Sequence, residues 1–452
     1  MMSNSGRLQV AVIGAGAAGL CAARHLLARQ DVFCPPVLYE LTKRVGGTWV
    51  YEERVGRDED DLPVYSSMYR DLRTNIPKEV MAFPDFPFDK HLPSFVHHTE
   101  VRKYLNQYCD HFGIREHIKF HRLVESVRPV FSESRQGGLT WDVTTSDATG
   151  KGHKTTNQFD AVMVCNGHFF DPYIPPIAGL ENFKGKVNHI CSALLFFGML
   201  MHSHDYRVAE PFAGKSVVLL GAGLSGMDIM IELSEVASEV TLSHRQRPLT
   251  CPLPRGVRQA QGVKLINEDG ELVFEDGDRA KPDVFMLCTG YNFTFPFLSK
   301  EEVGLQVREH CVTPLYKHLL HPAFPSLFLI GICRAICPFP HFHCQIQFAL
   351  SVLDGSFTLP TQKQMEEEME VDMQTQLQKG TALRHILKLD SEQWDYNDEM
   401  ARLGKFKPLP PFWKNLYEAN KVFRAQDLLN YKNYIYQVFS DHEWTVMQKG
   451  AE

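Results

Sequence analysis

The sequence predicts an α/β fold containing two separate parallel-sheet units, and two segments carry that prediction. "LQVAVIGAGAAGLCAARHLLAR" gives a short apolar strand at residues 8–13, a glycine loop, and helical spacing of apolar residues from Leu20 to Arg29. "KSVVLLGAGLSGMDIMIELSEVASEVTLSHR" repeats the order, with a strand at Ser216–Leu220, a second glycine loop, a helix, and a further strand at Glu239–Leu242. A strand feeding a helix through a glycine turn, twice over, is the pattern of Rossmann-like dinucleotide-binding units.

The residues within each loop say which dinucleotide. In the first, Gly14 permits the tight turn, Gly16 lets backbone approach a pyrophosphate, and Gly19 lets the helix pack close to the strand. The next strand, "PVLYE", ends at Glu40, 21 residues after Gly19, where a carboxylate accepts hydrogen bonds from a ribose. In the second loop stand Gly221, Gly223, Ser225 and Gly226, and the strand after it ends in Ser243, His244 and Arg245 with no acid. A hydroxyl and a cation suit a 2′-phosphate, which a carboxylate would repel. The first loop reads as an FAD or NAD site and the second as an NADP site, with a solvated loop arginine as the plainer reading of Arg245.

Two such loops predict a flavoprotein that takes hydride from NADPH. "RVGGTWVY" follows Glu40 directly and supports flavin at the first loop: Gly46 and Gly47 allow close approach of backbone to a ligand, with Thr48 and Trp49 beside them. The strands "FDAVMVCNGH" and "PDVFMLCTGYNFTFPFL" end in glycine turns at Gly167 and Gly290. These are either crossings between the units near a dinucleotide or ordinary strand-to-loop turns.

Bulk properties narrow the class. A chain of 452 residues has room for two or three domains, and 44% hydrophobic with 22% charged residues is the balance of a soluble globular protein. The net charge of −7 argues against a nucleic-acid partner. The apolar run Ile190–Met201 is 12 residues, too short to cross a hydrocarbon layer of about 30 Å, and no apolar targeting segment precedes the first strand. Eleven scattered cysteines read as reduced thiols. The expectation is a cytoplasmic protein without a transmembrane anchor.

Several further motifs, in order, resemble the flavin-containing monooxygenase family over nearly the whole chain: "GAGAAG", "GGTW", "YRDLRTNIPKEVMAFPDFPF", "GAGLSG", "CTGYNFTFPFL" and "PFPHFHCQIQFALSVLDG". The resemblance implies an NADP domain inserted into a discontinuous FAD domain. The expected division is an FAD domain at 1–182 and 299–452, a linker at 183–207, and an NADP domain at 208–298. It also implies the chemistry: NADPH reduces FAD, O2 adds at flavin C4a, and the hydroperoxide gives one oxygen to an amine nitrogen or a sulfide. The implied partners are that small nucleophile and O2; a homodimer is left open. No metal is required. Asn75 matches the family asparagine lying over the flavin, and is the one catalytic candidate; a turn residue before Pro77 is the alternative. Gln345 stands where the family has a glutamine entering a helix beneath the flavin, while Gln347 replaces a frequent arginine. Lys78 and Glu79 read as solvated or structural charges, and Phe83–Asp89 either lines a substrate channel or packs on the neighbouring domain. The ending "VFSDHEWTVMQKGAE" resembles the shorter members, including the insect alkaloid N-oxygenases, rather than those with an apolar anchor. A Baeyer–Villiger enzyme shares both loops. A disulfide reductase would need a redox-active cysteine pair, for which "CRAIC" (Cys333, Cys337) is wrongly spaced.

One stretch breaks the family pattern. In "FKGKVNHICSALLFFGMLMHSHDYR", Phe183, Gly185 and His189 fit FxGxxxH, but the position four beyond His189 is Ala193. With Asn188–Leu200 lifted out, Phe183, Gly185 and His202 fit instead. Tyr206 then takes the position where Baeyer–Villiger enzymes carry Trp. Residues 188–200 therefore read as a 13-residue apolar insert in the linker, one that impairs catalysis if no core receives it; a lineage-specific helix is the alternative.

Overall fold

The computed structural model describes residues 6–131, 138–183, 198–245 and 248–448. Along the chain a first sheet takes β1 (Val10–Ile13), β2 (Val37–Tyr39), β3 (Ile118–Lys119) and β4 (Ala161–Val164). A second sheet then intervenes with β5 (Met199–His202), β6 (Ser216–Leu220), β7 (Glu239–Ser243), β8 (Val257–Ala260) and β9 (Val284–Leu287). The first sheet resumes with β10 (Leu320–His321) and β11 (Phe324–Leu329). The sheet orders are β10-β11-β4-β1-β2-β3 and β8-β7-β6-β9-β5. Both are parallel except for the β10–β11 pair.

The central strands are apolar on both faces because both are covered, by helices on one face and by a three-stranded antiparallel sheet on the other. That sheet is Arg122–Phe131, Leu139–Asp147 and Thr155–Phe159 against the first sheet, and Val263–Ile266, Leu272–Phe274 and Arg279–Ala280 against the second. All four residues of β1, β4 and β9 are buried, as a doubly covered parallel sheet requires. Helix α1 (Ala17–Leu27) follows β1, and α2 (Leu224–Ser234) follows β6, each with a glycine at its N-cap. A long late helix, α3 (Pro338–Leu353), begins on two prolines, whose fixed φ suits a first turn, and packs against α1. Phe83 stacks on Phe339 at 4.8 Å and Phe88 on Tyr104 at 3.8 Å, so these two rings are packed in the interior rather than lining a channel. Lys78 and Glu79 form a 2.6 Å ion pair out of solvent, a structural and not a solvated pair.

The chain passes between the sheets at two places that lie side by side. Pro172 bridges to Tyr291, Tyr173 N donates to Gly290 O at 2.9 Å, and Asn292 N donates to Asp171 O at 2.8 Å.

Residues 188–197 of the expected insert lie outside the described residues, but its last part does not fit that reading. Met199 and Leu200 form the start of β5, paired with Val284 and Phe285. They are used by the sheet because β9 offers an open parallel edge beside them.

Candidate active site

The first glycine loop forms the wall of a cavity of about 400 Å³ at the carboxyl end of the first sheet. β1 neighbours β2 on one side and β4 on the other, and at that switch in strand order the crevice opens. Gly14 turns at φ +104°, and a Cβ there would stand 2.5 Å from the Cys165 carbonyl oxygen. Gly16 meets Gly47, whose own Cβ would come within 3.0 Å of Gly16 Cα, so only this glycine pair closes the cradle. Gly46, Thr48, Trp49 and Gly167 complete the expected lining. Gly19 lies behind it: a Cβ would be 1.8 Å from Gly14 O, so its part is packing of α1 on the turn.

Glu40 faces the same cavity while bracing the loop. Its Oε2 accepts from Ala15 N at 2.8 Å, and its Oε1 accepts from Thr42 N and Oγ1, both at 2.8 Å. Burial pushes its carboxyl above the ordinary range, and those three hydrogen bonds oppose the shift.

Two buried polar atoms in the lining, Thr48 Oγ1 and His168 Nε2, have no partner among the described residues. Burial lowers the His168 pKa to about 3, so its imidazole is neutral. Unsatisfied donors or acceptors in a glycine-cradled crevice, at the N-terminus of a helix with no acid in its first turn, fit a dinucleotide.

The second loop has the same backbone but, among the described residues, is left uncovered at its head. Gly221 turns at φ +117° with its Cβ position 2.5 Å from Cys288 O, and a Cβ on Gly226 would stand 2.0 Å from Gly221 O. Gly223 and Ser225 are exposed at the head of α2. Arg245 stands just past the end of β7, its side chain 66% exposed and 3.5 Å from Glu275.

Ser243 requires a correction. It is fully buried, and its hydroxyl donates to Gln261 O at 2.7 Å, so it holds the sheet edge and does not face a phosphate.

Two more expected site residues, the cofactor ligand Gln345 and the catalytic candidate Asn75, do not line the cavity. Gln345 is buried, with Oε1 accepting from Gly331 N and Nε2 donating to Tyr396 Oη, each at 2.9 Å. Its amide is consumed in fixing Gly331, which does line the cavity. Asn75 is half-buried outside the lining, its carbonyl accepting from Asn420 Nδ2 at 3.1 Å. Gly290 belongs to the crossing described above. Cys333 and Cys337 are buried outside the cavity, and the described cysteines form no disulfide.

Residues missed from the sequence tie the two units together. Arg207 is buried and donates to the carbonyls of Glu52 (2.7 Å), His204 (2.7 Å) and Ser66 (3.3 Å), pinning the strap that roofs the cavity. Tyr69 Oη (3.0 Å) and Lys432 Nζ (2.6 Å) both donate to Asp228 on α2. Tyr206 is fully buried, and its hydroxyl donates to Glu232 at 2.7 Å. The only sequence signal for this group was the motif position of Tyr206.

No described helix is long and apolar enough to cross a membrane. The model of the flavin-binding monooxygenase-like family matches residues 7–250 and 255–417. Flavin-containing monooxygenase FMO GS-OX-like 2 of Arabidopsis thaliana is 37% identical over 445 residues, covering 92% of this chain and 90% of its own. Senecionine N-oxygenase of Tyria jacobaeae is 31% identical over 447 residues, covering 96% and 91%. The solved structure of S-allyl-L-cysteine S-oxygenase from Allium sativum superposes with a TM-score of 0.82 at 32% identity, covering 94% of this chain and 95% of that one.

Proposed function

This chain belongs to the flavin-binding monooxygenase-like family, as a flavin-dependent monooxygenase of FAD and NADPH, and from that premise we propose its reaction: transfer of one oxygen atom from O2 to a soft nucleophile, a thioether sulfur or an amine nitrogen. For a thioether the balance is thioether, NADPH, H⁺ and O2 giving sulfoxide, NADP⁺ and water, one of each. The observation that supports it most is an enclosed first glycine loop beside an open second one. One suits a resident cofactor and the other a nucleotide that must arrive and leave.

FAD bound in the cavity supplies the transfer of electrons from NADPH to O2 on which oxygenation depends. The chain's own residues bind, orient and exclude solvent. The Gly14–Gly16 turn and the head of α1 would take the pyrophosphate, Glu40 a ribose, and Thr48 and His168 the remaining polar groups. The rings of Phe339 and Phe342 close the far wall against water. Arg245 would neutralise the 2′-phosphate of NADPH at the second loop, and the Asp228 contacts hold that loop against the first unit. Asn75 keeps its proposed place near the reacting face on the family motif alone.

The test is anaerobic reduction of the bound flavin by NADPH, followed by admission of air with a thioether, a tertiary amine or a cyclic ketone. Sulfoxide or N-oxide is expected, in step with NADPH consumed. Lactone from the ketone in place of either oxide would overturn the reading.

A further inference from the structure

Behind the first glycine loop, α1 and α3 bring together three side chains that no step above uses. Cys21 and His25 stand one helical turn apart on α1, and His343 faces them from α3, one residue past the cavity-lining Phe342. Cys21 and His25 are buried and His343 is half-buried, and one donor atom of each lies within 4.8 Å of the others. His25 Nε2 and His343 Nδ1 are 3.1 Å apart, close to the ligand-to-ligand spacing of about 3.3 Å that tetrahedral bonds of roughly 2.0–2.1 Å to nitrogen imply. We propose that Cys21 Sγ, His25 Nε2 and His343 Nδ1 form a binding site for a borderline divalent cation of the zinc class, which staples α1 to α3 behind the cavity.

The surroundings suit such an ion. One thiolate and two neutral imidazoles are a donor set that selects zinc or its d-block neighbours over magnesium or calcium. Ligation requires each imidazole in its neutral state, with a ring-nitrogen lone pair free for the metal. The buried Tyr108 hydroxyl lies beside Cys21 and is placed to donate to its thiolate. Of the charges that act on the two imidazoles, Arg24 is paired with Asp85 at 2.6 Å and Arg29 with Asp354.

Gln347 supplies an outer partner, its amide 2.7 Å from His343 Nε2. With a cation on Nδ1 the proton resides on Nε2, and a half-turn of the amide presents its oxygen to that N–H. Binding exchanges the thiol proton for the metal: Cys–SH and M²⁺ give Cys–S–M⁺ and H⁺. Three protein donors leave one position for water.

The test uses the full flavin-bearing chain, expressed in cobalt-supplemented minimal medium so that metal is present while it folds. Co²⁺ with a thiolate and two imidazoles in tetrahedral geometry absorbs at about 600–700 nm, where oxidised flavin is transparent. About one cobalt per chain is expected, together with those bands, which disappear in Cys21→Ala and in His343→Asn while flavin absorbance is kept. Gln347→Leu should lower cobalt content by about 10-fold or more under limiting metal. Wild-type protein carrying flavin but less than about 0.1 cobalt per chain overturns the proposal, and so do bands that survive both ligand substitutions. If Cys21→Ala fails to fold, His343→Asn and the wild-type metal content decide.

Discussion

The two glycine loops are nearly one structure built twice. Their N-cap glycines have φ −78°, ψ −173° at Gly16 and φ −73°, ψ −179° at Gly223. A Cβ on the first glycine of either loop would stand 2.5 Å from a carbonyl oxygen of the neighbouring strand. They diverge only beyond the loop. The first is roofed and ends its second strand in buried Glu40, whereas the second lies open and ends in exposed Arg245. On the proposed reading the shared backbone geometry takes a pyrophosphate, and the residue at the strand end and the degree of enclosure decide which dinucleotide binds and whether it leaves.

The sharpest way to break this likeness is to spoil each loop in turn at its third glycine. Gly19→Ala and Gly226→Ala place a Cβ 1.8 Å and 2.0 Å from fixed carbonyl oxygens, a clash costing about 3 kcal/mol or more. Gly19→Ala should purify without its yellow colour. Gly226→Ala should keep flavin that dithionite reduces normally, while NADPH reduces it more than about 100-fold more slowly. Absorbance spectra and stopped-flow reduction read both, and equal flavin loss in the two variants would mean the loops do not divide the cofactors between them.

Those glycines were legible in the sequence for a physical reason. Gly14 and Gly221 combine positive φ with a Cβ position 2.5 Å from a backbone oxygen, and Gly46, Gly47 and Gly167 sit at positive φ, which glycine adopts at least cost, so all five leave their mark directly. Glu40 was legible from its spacing. Ser243 and Gln345 carry suitable chemistry, but their partners, Gln261 O and Tyr396, come from other elements, and no local pattern tells an inward amide or hydroxyl from an outward one. Arg207 and Asp228 act through contacts more than a hundred residues distant in the chain. For Met199 and Leu200 the open edge of β9 decided their fate, and that edge is a property of the assembled sheet.

The seam between the units should also respond to pH. Glu232 on α2 is pushed up to about 7, first by burial and then by the charges of Asp71 and Asp228, against the Tyr206 hydrogen bond and Lys432. A carboxyl whose folded pKa exceeds its unfolded value contributes stability that is full below about pH 4.5 and is lost as pH rises through about 7. Wild type should therefore lose about 2 kcal/mol from this group between pH 5 and 8, allowing for its partial exposure. Glu232→Gln keeps an acceptor for Tyr206 and should remove that loss. Urea melts at the two pH values read the difference, and parallel curves for the two proteins would refute it.

At the strand ends the expected effects are smaller. Arg245→Ala should raise KM for NADPH about 10-fold and that for NADH less than about 2-fold, with flavin content unchanged. The NADPH effect should shrink with added salt, because the guanidinium is exposed.

The smallest effect separates Ser243 from Arg245, two residues that share a strand end and a polar side chain but not a role. Ser243→Ala deletes the hydroxyl that donates to Gln261 O at 2.7 Å and leaves that acceptor short of a partner in a buried setting. The cost is about 1 kcal/mol of folding stability, near the net worth of one such bond. KM for NADPH should stay within about 2-fold of wild type, since the side chain points into the sheet and away from the open loop. Steady-state kinetics beside a denaturant melt distinguishes the outcomes. A 10-fold rise in KM without loss of stability would mean that β7 turns its end outward when nucleotide binds, and that the second strand end is remade by its ligand while Glu40 stays fixed.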